Sequence, residues 1–397
     1  MPKNIVVCCD GTANEFASDN TNVVKLYSTL IHDDARQCTY YHPGIGTMEP
    51  PGALSPWRRR ITRGLGMAFG AYLENDIRDA YAFLMKNYQA GDKVFLFGFS
   101  RGAYTVRAVA SLLRMYGLLR PDNESMVPYA IRMMMAITKA RKNQADRRRY
   151  QQEVAEYFDL AKSFKATMAR PCTPFFVGVW DTVSSVGWVD NPLKLPYSAD
   201  NGDIAIGRHA IALDEKRAFF RTNRWQRNAD PTETHGPVDT LQVWFPGVHC
   251  DVGGGYPEVE SGLSKLALEW MLDEAEPPGL MVDPAKRRAV LGAVPPNVRP
   301  DPQGMIHESL KGWWKLAEYV PKKRVDRTTE REEWRANRFR RRRVPNGSVI
   351  HWSVYERGPG YVATLNLPPD VTIFAKRIAQ QGRPEPIPSP PSSESPQ

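Results

Sequence analysis

Five residues, Gly98-Phe99-Ser100-Arg101-Gly102, carry the first chemical signal in the chain. The apolar run Lys93-Val-Phe-Leu-Phe-Gly98 precedes them, and Val106, Val109, Ala110 and Leu113 follow at helical spacing. A serine between a buried strand and a helix is the setting of a nucleophile elbow. Gly98 and Gly102 belong to that reading because side chains there would collide with the crossing strand and helix. Such a turn holds the hydroxyl at the carboxyl edge of a sheet, at a helix N-terminus whose dipole favours negative charge. A serine of ordinary acidity needs a base, and the base needs an orienting acid. Asp181 follows the apolar run Val177-Gly-Val-Trp180, and His249 follows Val243-Trp-Phe-Pro-Gly-Val248. Both are therefore expected at the same sheet edge as Ser100, in the chain order nucleophile, acid, base.

Rivals exist for each role. Asp251 stands two residues from His249 and would have to fold back to serve as the acid. His307 and His351 are the alternative bases, whereas His209 lies in a helix-like run, Arg208-His-Ala-Ile-Ala-Leu-Asp-Glu215, and reads as packing. Acyl transfer also needs donors for an oxyanion. The backbone N–H of Arg101 is one candidate, and Gly11 or Thr12, in the turn after the first strand, is the other. Asp10 is expected to hold that turn in shape.

The elements that must position these groups follow from the apolar pattern. Residues 4–9, 93–98, 174–180 and 241–248 are short continuous apolar runs, as strands buried on both faces require. Helical patterns lie between them, at Thr21–Ile31, at Ala71–Tyr88 and after Ser100. This alternation predicts an α/β fold with a doubly wound, mainly parallel sheet. Residues 121–172 break the rhythm with helix only and predict an inserted helical cap, whose Met133-Met134-Met135 reads chiefly as core filler. A second helical region is expected over 256–345, within a single domain reaching residue 381. Residues 382–397 hold six prolines and four serines and read as a disordered tail.

Composition narrows the function further. With 42% hydrophobic residues in 397, the chain can bury a large core. The N-terminus lacks the apolar stretch of a signal peptide, and no run reaches the ~18 residues of a membrane span. Cytoplasmic synthesis is expected, with any export by a route that reads no such peptide. Five cysteines without a C-x-x-C pair argue against disulfide and zinc scaffolds. Gly64-x-Gly66-x-x-x-Gly70 misses dinucleotide-binding spacing, and no P-loop lysine follows Gly253-Gly254-Gly255. No cofactor or metal is expected. The net charge of +9 gathers in Arg58–Arg60, Arg147–Arg149 and the cluster Arg338–Arg343. These runs read as solvated faces or as contacts to an anionic membrane surface; without a recognised motif, nucleic acid is not the expected partner.

Several ordered motifs carry a resemblance. They are Cys9-Asp-Gly-Thr-Ala-Asn14, Tyr41-His-Pro-Gly-Ile-Gly-Thr47, Ala68–Tyr81, Gly98-Phe-Ser-Arg-Gly-Ala-Tyr104, Val179-Trp-Asp-Thr-Val183, His209–Glu215 and Trp244–Tyr256. The chain resembles, over about residues 4–357, the uncharacterised α/β-hydrolase domain family that includes type VI secretion phospholipase effectors. The resemblance implies an α/β-hydrolase-like fold, a triad on Ser100, Asp181 and His249, and hydrolysis of carboxylic esters, of phospholipids or other lipids above all. Cys250 departs from the small polar residue expected at its position. A soluble esterase or thioesterase would use the same three residues. A catalytically idle binding module with a basic surface would use none of them.

Overall fold

Four of the eight sheet strands are the apolar runs of the sequence, and their register decides what stands at the sheet edge. The computed structural model describes residues 2–11, 19–44, 65–140, 147–183, 195–218, 220–225, 236–311 and 332–375, with short pieces at 187–188, 191–192, 315, 318–319 and 322–325. Thr12, Arg58–Arg60 and the segment 382–397 lie outside the described residues. The strands are β1 (Asn4–Cys9), β2 (Gln37–His42), β3 (Lys93–Phe99), β4 (Pro174–Trp180), β5 (Ile206–Ala212), β6 (Asp239–Phe245), β7 (Val349–His351) and β8 (Thr372–Phe374). They pair in parallel throughout, in the order β2-β1-β3-β4-β5-β6-β7-β8. All six residues of β1 are buried, as a strand covered on both faces must be.

The order reverses between β1 and β3, where open α/β sheets bind their ligands beyond the carboxyl ends of the strands. Cys9 stands opposite Gly98, Phe99 opposite Trp180, Trp180 opposite Ala210, and Ala212 opposite Phe245. The strand ends are thus level. Asp10, Ser100 and Asp181 each begin the chain just past one edge.

Helices cover both faces. Helix α1 (Asn22–Thr29) opens at Thr21, whose hydroxyl accepts from the Val24 N–H at 3.3 Å. Helices α2 (Leu65–Asn87) and α3 (Ser100–Tyr116) pack on the face that carries Ile5, Val7, Leu96 and Val177. Helices α4 (Val127–Ala140) and α5 (Arg147–Met168) pack outside α3, joined to its end by a small antiparallel pair, Leu118–Leu119 with Ala169–Arg170. Met133 and Met134 are buried in this cluster beside Tyr116 and Phe164, so they fill core. On the opposite face, α1 and the later helix Gly262–Ala275 meet Phe95, Phe97, Phe176 and Trp180.

Two expectations change. Residues 206–212, which hold His209, form strand β5 and no helix. The sequence conceals this because Arg208 supplies a charge in mid-strand; its side chain is buried and paired with Glu274 at 2.6 Å and Asp239 at 2.9 Å, partners far along the chain. The region 256–345 is helical only through Ala293; its later described residues are irregular apart from an antiparallel pair, Lys322–Val325 with Glu332–Arg335, and one helical residue at 315. Among the described residues, no helix is long and apolar enough to cross a membrane.

Candidate active site

Ser100 is the first residue of α3 and takes φ +57°, a left-handed conformation that side chains rarely adopt. Its neighbours impose it. A Cβ on Gly98 would lie 2.5 Å from the Gly102 carbonyl oxygen, and one on Gly102 would lie 2.1 Å from that of Cys9 and 2.4 Å from that of Asp10. Gly98 thus lets β3 fold tightly into the first turn of α3, and Gly102 lets the end of β1 pass across that turn, beside which the Ser100 hydroxyl is presented.

Asp181 also has positive φ, +37°, and its amide donates to the Ala210 carbonyl at 2.7 Å, so it turns back over β5. His249 opens the short helix α6 (His249–Gly253) beyond β6. Its Nε2 lies 2.8 Å from Ser100 Oγ, and its Nδ1 lies 2.5 Å from Asp181 Oδ2. With the proton on Nδ1, the ring donates to the carboxylate and accepts from the serine hydroxyl. Phe99 lies against this imidazole at 4.6 Å between centroids, its plane tilted by 33°, and Phe220 meets it edge-on at 4.8 Å, so it is wedged between two rings.

Burial lowers the proton affinity of His249 and outweighs the opposing pull of Asp181, so the neutral imidazole persists below the ordinary histidine range. Burial of Asp181 acts the other way, toward a neutral acid. It is overcome by the Arg342 guanidinium and by the His249 hydrogen bond, which hold the carboxyl well below the usual carboxylate range. A neutral base beside an ionised acid is the pairing that nucleophilic catalysis requires.

A family model described as "T6SS, Phospholipase effector Tle1-like, catalytic domain" matches residues 3–274. The chain belongs to this Tle1-like family. It is 35% identical over 228 residues to the uncharacterised protein YEL023C of Saccharomyces cerevisiae, a match covering 55% of this chain and 32% of that protein. Among solved structures it is similar to an uncharacterised protein from Pseudomonas aeruginosa, with 21% identity, TM-score 0.40, and coverage of 72% of this chain and 47% of that one. It is similar also to the Tle1 effector solved bound to the VgrG spike, with 20% identity, TM-score 0.32, and coverage of 66% and 52%. The chain spans 32% of the curated relative and about half of each solved one.

Within this Tle1-like chain the remaining candidates fall into distinct places. The Asp10 carboxylate accepts from the Gly11 N–H at 2.6 Å, the Thr21 hydroxyl at 2.6 Å and the Tyr41 hydroxyl at 3.0 Å, and so ties the start of the turn to α1 and β2. The Gly11 amide, expected to face an oxyanion, is engaged by that carboxylate. Asp251 folds back onto its own helix, accepting from Val248 N–H at 2.9 Å, and pairs with His307 Nδ1 at 2.6 Å. His307 stacks on Tyr256 at 3.6 Å and reaches Glu260 with Nε2 at 2.9 Å. The two rivals thus join each other and leave His249 to Asp181. His351 is buried against Phe245, with Nδ1 2.7 Å from Ser353 Oγ, and burial pushes its proton affinity down to about 3. His209 is likewise buried, lowered to about 3 first by burial, and its Nε2 accepts from the Thr182 N–H at 3.1 Å beneath the Asp181 turn. Among the described residues no group of three or more His, Cys, Asp and Glu side chains converges as a metal ion would require.

Two residues escaped the reading of single motifs. Glu215 accepts from the His249 N–H at 3.2 Å and is held by Arg217 at 2.9 Å; burial would raise its carboxyl, but Arg217 brings it down to about 2. The signal for it was its place at the end of the ordered motif His209–Glu215. Arg342, inside the basic cluster, turns inward to Asp181 at 2.5 Å and 3.0 Å. Its sequence context offers no hint of that, because a run of arginines reads as a solvated surface.

Proposed function

We propose that this chain is a serine hydrolase of lipid carboxylic esters, phospholipids first among them, working through Ser100, His249 and Asp181. The observation that carries the reading is the continuous chain of contacts from Ser100 Oγ through His249 to Asp181, at 2.8 Å and 2.5 Å, beyond the reversal point of a parallel sheet. The description of the matched family supplies the substrate class.

In the proposed reaction, His249 Nε2 takes the serine proton as Oγ bonds to the ester carbonyl carbon. The resulting oxyanion is met by the Arg101 N–H at the start of α3, where the helix dipole assists. Because Asp10 holds the Gly11 amide at 2.6 Å, the Thr12 N–H of the same turn is the proposed second donor. The imidazolium, steadied by Asp181, returns its proton to the departing alcohol, leaving an acyl-enzyme. Water then attacks the acyl carbon with His249 again as base, and the imidazolium gives that proton to Ser100 Oγ as the bond to the acyl carbon breaks and the fatty acid leaves. No metal or cofactor enters these steps. The exposed arginines 338, 340, 341 and 343 are the proposed contact with an anionic membrane surface, and export by a type VI system is proposed from the family description.

The decisive test pairs a fluorophosphonate probe with a defined phospholipid panel and product identification, on wild type and on Ser100→Ala. Labelling and release of fatty acid by wild type alone are expected. Undiminished turnover by the alanine variant would refute the triad, and turnover of p-nitrophenyl esters without phospholipids would replace the substrate class.

A further inference from the structure

We propose that Arg342 is a positioning residue of the active site, clamping the acid and tempering the basicity of His249; this rests on the triad reading given above. The guanidinium meets the Asp181 carboxylate edge-on, Nη1 to Oδ1 at 2.5 Å and Nη2 to Oδ2 at 3.0 Å. That fork is the two-pronged geometry which a planar guanidinium forms and an ammonium does not. The same Oδ2 accepts from His249 Nδ1, so imidazole and guanidinium compete for one oxygen's charge. Oδ1 accepts in addition from the Ala212 N–H at 3.1 Å.

The other edge of Arg342 reaches the chain that surrounds the base. Nε donates to the Phe220 carbonyl at 3.0 Å, Nη2 to the same oxygen at 2.5 Å, and Nη1 to the Ala212 carbonyl at 3.2 Å. Phe220 is the residue whose ring packs edge-on against His249. One side chain therefore fixes the carboxylate, the end of β5 and the ring that wedges the imidazole. Only 10% of its surface is exposed, so water screens these contacts little.

The consequence is electrostatic as well as steric. Asp181 would otherwise offer His249 an undivided negative charge, which favours the imidazolium. A guanidinium on both carboxylate oxygens offsets that pull, and the base stays unprotonated to lower pH. Other charged and titratable groups face the same place. Glu215 and Arg217 approach His249 from the loop after β5, Cys250 adjoins it on α6, and His209 lies beneath Asp181 on β5. Glu215 is bonded to Arg217, and Asp214 to Arg341 at 3.4 Å, so each of these carboxylates is matched by its own arginine. Arg342 is the guanidinium that meets the triad acid itself, from beyond the residues 3–274 matched by the family model.

The experiment compares wild type, Arg342→Met and Arg342→Lys through the pH profile of kcat/KM for a p-nitrophenyl ester, together with NMR titration of the His249 ring in a Ser100→Ala background. For Arg342→Met we expect the acid limb and the His249 titration to move up by about one pH unit, so that activity on that limb falls roughly tenfold at fixed pH. Arg342→Lys keeps a charge without the fork, and we expect its limb to return most of the way with a lowered plateau. Added guanidinium is expected to restore Arg342→Ala, which a change of folding alone would not permit. A folded Arg342→Met protein with both profiles unmoved overturns the proposal while leaving the triad intact. Absence of Ser100-dependent turnover in wild type overturns the triad instead, and the His249 titration still decides the role of the guanidinium.

Discussion

Two aspartate–histidine pairs meet at the first turn of the short helix α6, and their likeness makes their difference informative. In each, a carboxylate oxygen lies close to an imidazole Nδ1, at 2.5 Å for Asp181–His249 and 2.6 Å for Asp251–His307. The second ring nitrogen separates them. His249 turns Nε2 to a serine hydroxyl, a group that can give up a proton and then attack; His307 turns it to the Glu260 carboxylate, which can only accept. The acids differ too. Burial acts on both, but the guanidinium on Asp181 brings it down, whereas Asp251 stays pushed up despite hydrogen bonds from Val248 and His307. An acid close to an imidazole is not by itself a catalytic dyad. What the far nitrogen meets, and whether a cation steadies the acid, decides whether the pair moves protons or fastens chain segments together.

Substitutions at the two histidines give the widest separation. His249→Ala is expected to lower kcat by about 10⁵ to 10⁶-fold, the loss typical of a removed triad base. His307→Gln should leave kcat/KM within about tenfold, measured in the same ester assay. If His307→Gln were the more damaging to turnover, the assignment of base and fastener would be reversed. The acids follow at a smaller scale. Asp181→Asn should cost about 10⁴-fold in kcat through the wrong imidazole tautomer. Asp251→Asn should chiefly lower stability, by about 1 to 3 kcal/mol in denaturant unfolding, through hydrogen bonds lost in a buried site.

Acid titration separates the regions more gently. Because burial lowers the proton affinity of His249, the acid limb of kcat/KM should fall below pH 6.5, the ordinary histidine value. Stability has its own sign. Glu215, brought down to about 2 from an ordinary 4.5, releases its proton more readily folded than unfolded. Its contribution is present above pH 4.5 and is lost as pH falls toward 2, which thermal melts across that window would register as a declining Tm.

Much of this architecture was legible in the chain. Strands β1, β3, β4 and β6 stood out as unbroken apolar runs, and the elbow was readable from Gly98 to Gly102 because each glycine answers a local collision. Ser100, Asp181 and His249 could be singled out because each begins the chain at a strand end, and strand ends in a parallel sheet share an edge. What escaped had its cause at a distance. Strand β5 was concealed because Arg208 is neutralised by Glu274 and Asp239, 66 and 31 residues away. Strands β7 and β8 contribute three residues each, too few for a period to show. Arg342 was hidden among arginines that face solvent, and its partner stands 161 residues earlier.

That long separation bears on when the chemistry first becomes available. A polypeptide emerging from the ribosome displays its elbow well before Arg342 is made, since position 342 follows position 100 by 242 residues. Until then the carboxylate lacks its clamp and the ring beside the imidazole lacks its anchor. The enzyme proposed here would consequently reach full potency only in a molecule whose distant segment has already docked.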